Sequence, residues 1–170
     1  DRPSGRGRRL TPSPVKTVAE ELGLPVHQPE RARAKGFVAT LAGLAPDVIA
    51  VVAYGQILPT SLLNIPPHGA LNVHPSLLPR YRGAAPVQWA LWNGDAKTGV
   101  TVMQLDKGED TGPLVRQQET DVDPIETAVE LLSRLAVVGA EMLTDVITRL
   151  PVDGLTTTPQ DADAATHAPR

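Results

Sequence analysis

Asn72 and His74 stand two residues apart at the end of a short apolar run, 69–73, and open the segment NVHPSLLPRYRGAAP. On an extended strand, residues i and i+2 point to the same side, so an amide and an imidazole would face one small volume at a strand's carboxyl end. That pairing suits a developing oxyanion: a preorganised donor aimed at a carbonyl oxygen that gathers charge contributes roughly 3 kcal/mol. The chemistry it points to is acyl transfer. A second segment, LDKGEDTG at 105–112, carries the acids Asp106, Glu109 and Asp110, with Gly108 and Gly112 letting it turn tightly. Any of the three acids could reach a histidine on a neighbouring strand, fix its tautomer and favour its charged form. Each signal also has a structural reading, as a capped loop histidine and as a solvated acidic turn.

These residues need elements to hold them. The run DVIAVVA at 47–53 has no polar alternation and reads as a strand buried on both faces of a parallel sheet. Further strands are expected at 24–27, 69–73, 99–105 and 114–119. Ser13 can cap a helix with Pro14 at its first position, an apolar stripe of Val15, Val18, Ala19 and Leu22, and Gly23 as its stop. A weaker helical stretch follows over 31–44, and Pro86 opens another with PVQWALWNG. Asp123 is expected to cap a long helix with Pro124 first, Glu126 closing a capping box, and a stripe of Val129, Leu132, Leu135, Met142, Val146 and Leu150. Strand and helix alternate, which predicts an α/β domain over 1–150 with a mostly parallel sheet and helices on both faces. Such sheets bind ligands beyond the carboxyl ends of their strands.

The ends read differently. Residues 1–12 carry Arg2, Arg6, Arg8 and Arg9 among Gly5, Gly7 and Pro3, which reads as a mobile basic loop able to meet an anion. Residues 151–170 are rich in Thr, Asp, Ala and Pro without periodicity and read as a linker or frayed end. The net charge is −3, and the absence of cysteine excludes disulfides, thiolate metal sites and cysteine nucleophiles. No signal core or membrane-length apolar run is present, so the cytoplasm is the expected compartment. Four scattered histidines give no metal spacing, so no metal is expected. Trp89 and Trp92, three apart on a helix, read as core packing.

Four blocks, DRPSGRGRRLTPSPVK, NVHPSLLP, YRGAAPVQWALWNGD and TGVTVMQLDKGEDTG, stand in register with the methionyl-tRNA formyltransferase family. The wider folate-dependent formyltransferase superfamily shares the Asn, the His, the SLLP turn and the later Asp. The blocks GRGRRLTPSPVK and RGAAPVQWAL narrow the choice. The resemblance implies a Rossmann-like catalytic domain that uses 10-formyltetrahydrofolate and methionyl-tRNA, as a monomer. By that resemblance, Asn72 and His74 polarise the formyl group and handle protons, and Asp110 orients and charges His74. Asp106 and Glu109 match less critical positions. Ser76, Leu77, Leu78 and Pro79 match the folate-binding turn, and Tyr54, Gly55, Gln56, Ile57 and Leu58 a strand end lining the pterin pocket. Arg6, with Arg8 and Arg9 beside it, falls on the basic loop that meets the tRNA acceptor end. The family's first βαβ segment would precede Asp1, and 151–170 would lead towards a small β-barrel.

Alternatives remain at this stage. Arg80 and Arg82 could steer an anion or lie on the surface. The acceptor could be a nucleotide sugar or purine precursor, as in sibling formyltransferases, or the chain could be a non-catalytic folate- or RNA-binding fragment.

Overall fold

β-branched and apolar residues fill the middle of β5 (Lys97–Gln104), and in the computed structural model six consecutive residues of this strand are buried. Residues 2–4 and 9–170 are described, with side chains from Thr11 onward. Two short strands, β1 (Arg2–Ser4) and β2 (Arg9–Thr11), pair antiparallel. Helices α1 (Pro14–Glu21) and α2 (Lys35–Gly43) lead to β3 (Ile49–Val51). After α3 (Thr60–Leu63) come β4 (Ala70–His74), α4 (Pro86–Trp92), β5 and β6 (Leu114–Asp121). The chain closes with α5 (Ala128–Asp153) and a 3-10 turn at Ala162–Ala164.

The main sheet has the order β3-β4-β5-β6. β3 and β4 run parallel, whereas β4–β5 and β5–β6 are antiparallel. The α/β architecture is as expected, but the sheet is mixed rather than mostly parallel. Its register sorts the residues by face. Leu71, Val100 and Val102 are buried in one apolar cluster with Leu131, Leu135, Met142 and Leu143 of α5. Asn72, His74 and Thr101 alternate with them and so lie on the opposite face. α5 covers the first face.

Several sequence-based expectations need correction. Residues 1–12 were expected to lack regular structure, but the flanks of the arginine-rich stretch pair as β1 and β2; backbone hydrogen bonds need no apolar side chain. Residues 24–27 form no strand. β3 is shorter than 47–53 and only half-buried, because it is an edge strand of the described sheet, and Val52 is exposed. The α1 stripe is not packed: Val15, Val18 and Leu22 are all exposed. Ser13 does cap α1, its hydroxyl accepting the Lys16 N–H. The long helix starts later than expected. Thr127, not Asp123, is its cap, and Glu130 closes the capping box. Glu126 is taken instead by Arg134, which also reaches the Asp121 carbonyl. With the start shifted, Leu131 is buried, whereas Val129 and Leu132 are exposed. Trp92 is exposed too, and only Trp89 packs, donating Nε1–H to the Pro169 carbonyl.

The tail is the largest correction. Residues 154–170 fold back over the domain: Leu114 bridges Thr158, Arg82 bridges His167, and Ala168 is fully buried. Composition marks such a segment as a linker because its anchors are backbone bonds and single polar side chains, which have no period.

Gly139 sets how closely α5 lies on the sheet. A Cβ there would sit 2.5 Å from Val73 Cγ1 and 3.4 Å from Val100 Cγ1. Helix propensity favours Ala over Gly by about 1 kcal/mol, but overpacking a filled site costs about 1–3 kcal/mol. We therefore expect Gly139→Ala to lose about 1 kcal/mol in urea denaturation, the overpacking outweighing the propensity. A net gain would mean the contact is slack.

The Glu126–Arg134 pair gives a pH signature. Hydrogen bonds from Arg134 hold the Glu126 carboxyl below its usual range, against a smaller opposing effect of burial. A lowered acid adds stability that is present above the unfolded pKa and lost as pH falls through the folded value. Melting temperature should thus fall less steeply below about pH 4 in Glu126→Gln than in the unaltered protein. Parallel melting curves would assign the acid sensitivity to other groups.

Candidate active site

His74 is the last residue of β4 and is only 4% exposed. Its Nε2 lies 2.9 Å from the Tyr81 carbonyl, and since a carbonyl only accepts, Nε2 carries the proton. The other nitrogen, Nδ1, faces the Asp110 carboxylate with Oδ2 at 3.5 Å, beyond a good hydrogen bond but within ion-pair range. The same Oδ2 accepts the Gly83 N–H at 2.8 Å. The imidazole is therefore held between one residue of the 80–83 loop and one of the acidic turn. Both of those residues are backbone-strained: Tyr81 has φ 61° and Asp110 φ 52°, left-handed values that cost about 1–3 kcal/mol when the residue is not glycine.

Asn72, on the same face as His74, is half-buried, and its amide has no hydrogen-bond partner among the described residues. The two side chains share a face, as the strand period requires. They differ in readiness: Asn72 is free to donate, whereas His74 already gives its Nε2 proton to Tyr81.

Of the three acids, only Asp110 meets His74. Asp106 Oδ1 accepts from the Gly108 N–H and the Thr111 hydroxyl and so closes its own turn. Glu109 is exposed. Gly112 permits the turn to press against β5, since a Cβ there would lie 1.9 Å from the Gln104 carbonyl oxygen.

The SLLP turn is built inward. Ser76 is fully buried, donating its hydroxyl to the Arg80 carbonyl, and Leu78 is buried as well. Thr101, opposite His74 in the sheet, donates its hydroxyl to the Ser76 carbonyl and accepts from the Leu78 N–H. Leu77 and Pro79 are half-buried. The turn thus shapes the site mainly with backbone.

The segment 54–58 follows β3, whose last residue, Val51, pairs with Asn72. Tyr54, Gly55, Gln56 and Ile57 are exposed, and Leu58 is half-buried. Gln56 has a tertiary duty: its Oε1 accepts the Ala32 N–H and its Nε2 donates to the Glu30 carbonyl. Arg6 and Arg8 lie outside the described residues, and only the backbone of Arg9, in β2, is described.

The two arginines of the loop are committed within the protein. Arg80 pairs with Asp95 at 3.0 Å and stacks over Tyr81. Arg82, mostly buried, gives Nε–H and Nη2–H to Gln160 Oε1. Gln160 in turn donates Nε2–H to the carbonyls of Asp110 and Gly112. Sequence reading missed Gln160 altogether, because a single amide in a polar tail carries no periodic or charge signal.

Comparison with known proteins shows the family. The family model described as Formyl transferase matches residues 1–147. Methionyl-tRNA formyltransferase of Geobacter metallireducens is 52% identical over 99% of this chain, and the match takes in 54% of its own length. The chain spans about half the length of such relatives. Among solved structures, a sugar N-formyltransferase from a Shewanella species superposes with a TM-score of 0.74 at 20% identity, covering 92% of this chain and 60% of that one. An N-formyltransferase of Helicobacter canadensis, solved in complex with folinic acid and dTDP-3-aminofucose, gives 0.71 at 19% identity over 91% and 53%. These structural likenesses establish the Rossmann-like fold. With the family match running from the first residue through most of α5, the chain belongs to the formyl transferase family.

Proposed function

We propose that this chain is the catalytic part of an enzyme that moves the formyl group of 10-formyltetrahydrofolate to the amino group of methionyl-tRNA, serving translation initiation. One observation carries the formyl-transfer reading: an Asn72 amide with no partner among the described residues, beside a buried His74 that is fixed between the Tyr81 carbonyl and Asp110. The acceptor rests on relatives of about half-identical sequence that bear the methionyl-tRNA name.

When bound, 10-formyltetrahydrofolate supplies the formyl carbon. The exposed side chains of Tyr54 and Ile57, next to the β3 end that pairs with Asn72, fit a flat ring system. Leu58 and the turn of Ser76, Leu77, Leu78 and Pro79 would complete the wall. As the amine attacks, its nitrogen bonds the formyl carbon, the carbon–nitrogen bond to the folate breaks, and tetrahydrofolate leaves with a proton in place of the one the amine gives up. Meanwhile negative charge gathers on the formyl oxygen, and Asn72 offers it an amide N–H. His74 holds a proton on Nε2, and the Asp110 carboxylate at Nδ1 stabilises the ring as it gains or shares charge. To deliver that proton the ring must give up the Tyr81 carbonyl, so the bound substrate competes with an internal acceptor. Arg6, and Arg8 and Arg9 beside it, would meet the phosphates or bases of the acceptor end.

In the full-length protein, Asn72→Ala and His74→Ala should each lower the single-turnover rate by at least about a hundredfold with folate affinity nearly unchanged. Asp110→Asn should be far more damaging than Asp106→Asn or Glu109→Gln, because only Asp110 faces His74. A loss below about tenfold at both Asn72 and His74 would remove the pair from the mechanism.

Arg6→Ala tests the acceptor. It should raise the Michaelis constant for methionyl-tRNA and flatten its salt dependence by roughly one unit of slope or less, leaving folate binding and melting temperature alone. Kinetics equal to wild type at every salt concentration would count against tRNA, as would preferential formylation of a nucleotide sugar.

A further inference from the structure

Gln160 lies beyond residue 147, where the match to the family model ends, in a stretch whose composition resembles a linker. Yet its amide uses every polar atom on the site. Oε1 accepts from Arg82 Nε at 3.1 Å and from Nη2 at 2.7 Å. Nε2 donates to the Asp110 carbonyl at 2.8 Å and to the Gly112 carbonyl at 2.7 Å. The tail that brings it there is tied down independently. Arg82 N–H bonds the Thr166 carbonyl, the Ala168 N–H bonds the Arg82 carbonyl, and the Tyr81 N–H bonds the Thr166 hydroxyl.

The two segments joined by this amide are the two that clamp His74. The 80–83 loop provides the Tyr81 carbonyl for Nε2, and the acidic turn provides the Asp110 carboxylate for Nδ1. Both clamp residues sit in left-handed backbone conformations that persist only when their surroundings over-determine them. Asp110 has two such anchors: Gly83 N–H on its carboxylate and Gln160 on its own carbonyl. Remove the second, and the strained Asp110 backbone has one fewer reason to keep its side chain turned towards the imidazole.

We propose that Gln160 is a positioning residue for the formyl-transfer site, its side-chain amide cross-linking Arg82 to the Asp110–Gly112 turn and thereby fixing Asp110 against His74. The tail segment 154–170 is then a strap that completes the catalytic domain. This rests on the formyl-transfer reading above for its catalytic consequence. Gln160 itself touches no substrate; it acts through Asp110. A residue with that role affects the rate of the chemical step, not the binding of either substrate, and its effect vanishes once the Asp110 carboxylate is gone.

The test uses the full-length protein with two variants. Gln160→Ala removes the whole cross-link. Gln160→Glu keeps the acceptor for Arg82, and so keeps the tail attached, but deletes the N–H donors to Asp110 and Gly112. Each should lower kcat by at least about fivefold, with both Michaelis constants within about threefold of wild type and with circular dichroism unchanged. In an Asp110→Asn background, the Gln160→Ala effect on the single-turnover rate should shrink. A kcat loss smaller than about fivefold in a folded Gln160→Glu protein overturns the proposal. So does a loss that is undiminished in the Asp110→Asn background, since that would make the strap a general stabiliser. Exchange of the Gly83 amide, bonded to Asp110, gives a reading that needs no turnover: Gln160→Ala should accelerate it at least about fivefold. If wild-type protein transfers no formyl group, the functional reading fails by itself, and an unchanged Gly83 exchange rate would separately overturn the strap.

Discussion

One hydroxyl holds the irregular part of this fold to its regular part. Thr101 is fully buried in the central strand β5, opposite His74. Its Oγ1 donates to the Ser76 carbonyl at 2.6 Å and accepts the Leu78 N–H at 3.1 Å and Gln117 Nε2–H at 2.9 Å. A hydroxyl has one proton and two lone pairs, so its capacity is filled. Gln117 adds a bond to the Leu78 carbonyl. The turn after His74 cannot continue the sheet, because Pro75 and Pro79 lack N–H groups, and its remaining polar groups would otherwise be buried without partners at about 1–3 kcal/mol each. Thr101 and Gln117 satisfy the Ser76 carbonyl and both backbone groups of Leu78, and so help fix the path by which the chain reaches Tyr81, whose carbonyl meets His74.

Strain and its restraint follow from that path. Returning from the turn to the imidazole requires Tyr81 to adopt a left-handed φ, and reaching the imidazole from the other side requires the same of Asp110. Two such residues cost a few kcal/mol together, a large fraction of a small domain's stability. The offsetting bonds are specific. Tyr81 gives its hydroxyl to Asp95 and accepts Asn93 Nδ2–H, while Asp110 is held by the Gly83 N–H and Gln160. The polar network around His74 restrains the ring, which is the preorganisation that the proposed formyl transfer requires.

How much of this could be read from sequence depended on whether a feature is periodic. The Asn72–His74 pair was legible because a strand's side chains alternate, and Ser13-Pro14 was legible because a cap and a first-turn proline have a fixed spacing. The start of α5 was not. Asp123-Pro124 with Glu126 and Thr127 with Glu130 both offer cap signals, and Arg134, two turns into the helix, favours the second by taking Glu126 and the Asp121 carbonyl. Selecting Asp110 from three acids needed the family resemblance. The geometry explains the choice afterwards, since Asp106 is occupied by Gly108 and Thr111. The strap was hidden because backbone bonds, a buried Ala168 and one glutamine leave no mark in composition.

The alternation that made the site legible also separates stability from chemistry. On one face of the sheet, Leu71, Val73, Val100 and Val102 pack against α5, where Gly139 allows close approach. On the other, Asn72, His74 and Thr101 carry the polar work, each one residue away from a core side chain. A one-residue slip of β4 would carry the imidazole into the apolar layer and a valine into the site, so register is enforced from both faces at once. Packing on one face therefore bears on the geometry of the other. A shift of α5 against Val73 would move the backbone that Asn72 and His74 share, so the geometry of the candidate site depends on the fit of a helix on the opposite face of the sheet.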